Sequence, residues 1–148
     1  MIRVIEKRWH YRNMQCSVVF NTTGNRCGYV IVPAHIHIPI DPGYDDVLIH
    51  CHGGVTLNKN MQIQQGGGRR EFGVMVRSGV TILGFDCAHI DDALDSEKVA
   101  KLFDSEAVHL VSMLVGLETD DAVKRDLPYC ESVCRSMVDQ LIALGGTL

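Results

Sequence analysis

At 148 residues and 46% hydrophobic composition, the chain has enough apolar material for one buried core, and a single domain over residues 1–148 is expected. Net charge is −4 with seven histidines neutral, and the 14 Lys and Arg are scattered, which excludes the basic footprint of a duplex-binding protein. The apolar runs are too short to cross a bilayer and the opening MIRVIEKRWHYRN is too charged for a signal peptide, so a soluble, cytoplasmic chain without membrane partners is expected.

In chain order, MQCSVVF, the turn-forming NTTGN and RCGYVIVP predict a hairpin of strands near residues 14 to 20 and 26 to 32, ended by Pro33. AHIHIPIDPGYDD alternates His35 and His37 against Ile36, Ile38 and Ile40, and fits an edge strand or extended loop because Pro39 cannot donate to a ladder. DDVLIHCH has the period of a further strand. REFGVMV and GVTILGFDC read as a second hairpin turned at Arg77-Ser78-Gly79.

After Ala93 the spacing becomes helical in SEKVAKLF and EAVHLVSMLVGL. A last helix is capped by Asp126, opened by Pro128 and striped by Val133, Cys134, Met137, Val138, Leu141 and Ile142 before Gly145-Gly146. The predicted fold is α+β, a largely antiparallel sheet of about five strands with C-terminal helices packed on one face. The six cysteines are spread through a chain that needs no staples, so free thiols are expected, with Cys130 and Cys134 as core residues at helical spacing.

Two stretches carry candidate chemistry. In IHCHGGVT, strand alternation would put His50 and His52 on one side, and Gly53 and Gly54 permit positive φ and a close backbone approach, with Thr56 following. In GFDCAHIDDALD, Asp86 ends an apolar strand and would need a cation, a histidine or N–H donors if buried. His52, Asp86 and His89 are the candidate acid/base residues, and with Asp92 they form a donor set suited to a divalent metal. The alternative is that Asp86 orders the following loop through its own backbone while Asp91, Asp92 and Asp95 decorate a helix start. QQGGGRR offers Arg69 and Arg70 beside three glycines, a phosphate cradle or a polar hairpin tip. His35, His37, Tyr44, Asp45 and Asp46 offer a rim or a solvated loop.

Gly28-Tyr29-Val30-x-Val32-Pro33, His52-Gly53-Gly54-x-Thr56 and Gly84-Phe85-Asp86-x-Ala88-His89-x-x-Asp92 stand in the order found in a family of small uncharacterised proteins of bacteriophages and some bacteria, which the chain resembles over most of residues 26 to 142. YCESVCRSMVDQL is similar to that family's closing helix. Val55, Ile82 and Leu83 stand where the family usually has Leu and tryptophans, which alters any base-stacking surface. The resemblance implies a phage accessory role, such as countering host defence by sequestering a nucleotide signal or binding an effector.

The leading expectation is a pocket protein that captures a small, nucleotide-like ligand without a cofactor. His52, Asp86 and His89 would shape the pocket, with His50, Gly53, Gly54, Thr56, Arg69 and Arg70 as ligand contacts. A metal-dependent phosphodiester hydrolase using His52, Asp86, His89 and Asp92, and a protein-binding inhibitor docking by a sheet edge, are the alternatives. A homo-oligomer is compatible with each.

Overall fold

The computed structural model describes residues 3–44, 46–63 and 67–145. Its strands are β1 (Arg3–Tyr11), β2 (Met14–Asn21), β3 (Arg26–Val32), β4 (Ile40–Asp41), β5 (Asp46–Val47), β6 (Leu57–Asn60), β7 (Arg69–Glu71), β8 (Val74–Val76), β9 (Thr81–Asp86), β10 (Asp92–Ala93) and β11 (Val123–Lys124). Its helices are α1 (Ser96–Leu102), α2 (Ser105–Val115) and α3 (Leu127–Gln140), the last continued by a wider turn over Leu141–Gly145. Five strands in the order β1-β2-β3-β9-β6 form one antiparallel sheet, and the fold is α+β.

Both faces of the central strands are covered, which is why SVVF, GYVIV and TILGF read as nearly continuous apolar runs. On one face, Cys16, Val18, Val30, Val32, Leu83 and Phe85 meet Cys130, Cys134, Met137 and Val138 of α3. Phe20, farther along β2, packs against Val99 of α1 and Val111 of α2. The helices therefore lie on one face, as the sequence predicts. All six cysteines are free, and Cys130 and Cys134 are core residues.

The opposite face, carrying Val19, Tyr29, Ile31 and Ile82, is covered by Val74 and Val76 of β8. Here the structure corrects the expected second hairpin: β8 pairs with β7 through Phe72 and Gly73 at φ 48° and 83°, while β9 pairs with β3 and β6. Two positive-φ residues make the tight turn that matches strand twist. Phe72 then stacks on Tyr29, with ring centroids 3.8 Å apart.

β1 was hidden in the sequence by a bulge between Ile5 and Lys7. Such a bulge shifts side-chain alternation by one residue, so Val4 and Glu6 share the helix-covered face with Trp9 and Tyr11. DDVLIHCH is also corrected. Among the described residues of this segment only Asp46–Val47 is strand, paired with β4, and the backbone N–H and C=O of His50 are satisfied by the Gln140 side chain at 2.7 Å each.

A buried ionic group locks β1, β3 and α1 together. Arg26 donates to Glu6 from Nε at 2.6 Å and to Asp95 from Nη2 at 3.1 Å, and Lys98 also meets Glu6. The same guanidinium donates from Nη1 to the Arg125 carbonyl at 3.2 Å, so it steers the backbone that enters α3. Arg26→Ala would leave the buried Glu6 carboxylate without its main partner, and equilibrium denaturation should show a loss of about 3–5 kcal/mol; a loss within about 0.5 kcal/mol would show that the group is not stabilising.

Candidate functional site

Asp92 lies in a two-residue parallel pairing of β10 with β11, and its side chain is fully buried. A carboxylate there requires compensation from several donors. It receives the His89 backbone N–H at 3.0 Å on Oδ2 and Arg125 Nε at 2.9 Å on Oδ1, and His52 Nε2 stands 2.8 Å from Oδ1 and 2.9 Å from Oδ2. The 89–92 turn closes through the Asp92 N–H to the His89 carbonyl at 2.9 Å. Burial pushes the Asp92 carboxyl upward, but His52, the His89 amide and Arg125 together hold it below its ordinary value.

His52 extends this group towards α3. Its Nδ1 is 2.7 Å from the Tyr129 hydroxyl. With Nε2 facing a carboxylate that only accepts, Nε2 carries a proton, and in the neutral ring Nδ1 accepts from the phenol. Tyr129 is fixed in the first turn of α3 because Asp126 caps the helix and accepts the Tyr129 backbone N–H at 3.0 Å. Burial raises the phenol's pKa, opposed by the Arg125 guanidinium 5.1 Å from the ring centroid. Asp92, His52 and Tyr129 thus form a continuous hydrogen-bonded line.

His89 completes the cluster, its ring centroid 5.5 Å from that of His52. The glycine after His52 explains how it fits. A Cβ on Gly53 would stand 1.8 Å from His89 Nε2, and the residue holds φ at +68°. Gly54 also has positive φ, at +85°. The backbone therefore opens after His52 to admit a second imidazole. One donor atom from each of His52, His89 and Asp92 lies within 4.8 Å of the others, a set able to hold a metal ion.

Asp86 is placed differently from the buried carboxylate considered in the sequence. Its side chain is about one-third exposed, at 32%, where β9 runs out to solvent. Its Oδ1 accepts the Ala88 N–H at 3.2 Å, ordering the following loop, and lies 3.7 Å from His89 Nε2. Asp95 caps α1 as well as meeting Arg26.

The other sequence candidates separate. His50 is exposed while the His52 side chain is 9% exposed, so the two do not share an environment. Thr56 is exposed and its backbone N–H bonds Gly84 at 2.9 Å beside β9. Arg69 and Arg70 belong to the hairpin on the opposite face, away from the cluster, where Arg69 meets Glu71 at 3.2 Å and Arg70 bonds the Gly73 carbonyl at 3.3 Å. Arg70 lines a hollow of about 380 Å³ there, with Arg8 and His10. His35, His37, Tyr44 and Asp46 are exposed, and Asp45 lies outside the described residues.

A cleft of about 360 Å³ opens beside the cluster, between the 88–94 segment and the end of α2. His89 and Asp92 line one side with Thr23 and Asn25, and Ile90, Leu94, Leu114 and Leu117 supply its apolar wall. Arg125 and Tyr129 were not singled out in the sequence; the one local signal was a Tyr three residues after the helix cap Asp126.

Comparison with protein-family models, curated proteins and solved structures gives no match.

Because the Asp92 carboxyl is held below its usual value of 3.8, its contribution to stability is present above that pH and is lost as pH falls through the lower folded value. The melting-temperature gap between the native chain and Asp92→Asn should accordingly narrow from about pH 5 to about pH 2. A gap independent of pH would contradict the assigned pairing.

Proposed function

We propose that the protein captures a small, nucleotide-like molecule in the cleft bounded by His89, Asn25 and the end of α2. The observation that carries this reading is the position of His89, which belongs to both the buried polar cluster and the cleft wall. The cleft volume falls within the range of about 300–1,000 Å³ typical of small-molecule sites, and an apolar wall with few convergent polar groups suits a flat heterocycle with polar edges. Leu94 and Leu114 offer the faces; Asn25, Thr23 and Glu118 offer donors and acceptors. The resemblance to small phage proteins adds the biological setting, sequestration of a host nucleotide signal.

A second reading, phosphodiester hydrolysis, draws on the donor set of His52, His89 and Asp92, which would hold an ion able to activate water. The two readings differ in what happens to the ligand, since capture returns it intact and hydrolysis returns product.

The test is calorimetric titration of the protein with mononucleotides, cyclic mononucleotides and cyclic dinucleotides, followed by chromatography of the recovered ligand. Capture predicts saturable binding of at least one of these, intact recovery, and affinity weakened about tenfold or more by Leu114→Trp, which fills the cleft with little change in melting temperature. No saturable binding across the panel, or binding indifferent to Leu114→Trp, would overturn it.

A further inference from the structure

We infer that His52, His89 and Asp92 bind one divalent transition-metal ion. The inference stands apart from nucleotide capture, since a bare ion needs no cleft ligand, and it is the premise of the hydrolysis reading.

Three observations converge. A ring nitrogen of each histidine and a carboxylate oxygen of Asp92 lie within 4.8 Å of one another. Among the described residues the His89 Nε2 atom is buried without a hydrogen-bond partner, the nearest carboxylate being Asp86 Oδ1 at 3.7 Å, an arrangement that costs free energy unless something else satisfies the nitrogen. Gly53 lacks the Cβ that would stand 1.8 Å from that nitrogen, so the chain keeps the His89 ring in place where any other residue would expel it. Two imidazoles and one carboxylate favour zinc, iron(II) or manganese over calcium, which prefers an all-oxygen shell.

Geometry and proton accounting are both consistent with this. Zinc bonds of about 2.0–2.2 Å set neighbouring donors about 3.4 Å apart in a tetrahedron. The 2.8–2.9 Å approach of His52 Nε2 to Asp92 would open slightly as the ion enters between them. The proton on His52 Nε2 leaves that nitrogen, and Nδ1 carries the ring's N–H. Tyr129, 2.7 Å from Nδ1, turns from donor to acceptor and becomes the outer partner that orients a ligating imidazole. Asp92 loses the His52 donor but keeps Arg125 Nε and the His89 amide, so its charge remains compensated.

The experiment uses chelator-treated full-length protein titrated with zinc alone, by calorimetry and by long-range ¹H–¹⁵N correlation of the histidine rings. One ion per chain is expected, and His52 should convert from the Nε2–H to the Nδ1–H tautomer. His89→Ala, a half-buried position whose ring makes no hydrogen bond among the described residues, should retain the fold and weaken binding by about 100-fold or more; Tyr129→Phe should weaken it by about tenfold. His50→Ala, exposed two residues from His52, should bind as the native chain does. Absence of saturable one-to-one binding, native affinity in a folded His89→Ala variant, or a His52 tautomer unchanged at saturation would overturn the proposal.

Discussion

The arrangement around the site follows from the burial of one carboxylate. Asp92 has a fully buried side chain in a short parallel pairing at the edge of the helical layer, and a charge there persists only if donors surround it. The chain brings them from four places: His52 from the loop before β6, the amide of His89 from the turn after β9, Arg125 from the approach to α3, and, one bond farther out, Tyr129 from the helix itself. Each donor fixes one segment against another. The cluster therefore organises the loops at this end of the sheet as well as presenting candidate chemistry.

The scaffold holds those segments through its own ionic group. Arg26, on the central strand β3, bonds Glu6 of β1, Asp95 at the cap of α1 and the Arg125 carbonyl. The backbone of the β2–β3 turn also accepts the Asp95 N–H at Gly24, at 2.8 Å. Displacement of Arg26 would propagate to Asp92 by way of Arg125, without any direct contact between Arg26 and the site. Breaking a buried pair leaves charges with no water to replace the lost partner, which makes the positions of these loops cooperative.

The sequence revealed elements whose physical signal is local. β2, β3 and β9 announce themselves because both faces are buried, and α1, α2 and α3 because their apolar residues recur at helical spacing, with Asp126 marking the start of α3; in the structure Asp95 and Asp104 cap α1 and α2 likewise. β1 was obscured because its bulge shifts the alternation midway, and the β7–β8 hairpin because Phe72-Gly73 makes a turn inside a stretch that reads as one strand. His52, Gly53, His89 and Asp92 were recognisable by residue type and by the two glycines. Arg125 and Tyr129 were not, since 33 positions separate Arg125 from Asp92 and 77 separate Tyr129 from His52. Nothing in local spacing records such contacts. Asp86 looked stronger than Asp92 because it ends an apolar strand, yet its carboxylate emerges at the strand's open end.

His52 and Asp92 act as one buried unit. A double-mutant cycle of His52→Ala and Asp92→Asn, measured by denaturant unfolding near neutral pH, tests it most directly. A coupling energy of about 1–3 kcal/mol is expected, whereas additivity within about 0.3–0.5 kcal/mol would show that the two side chains act independently.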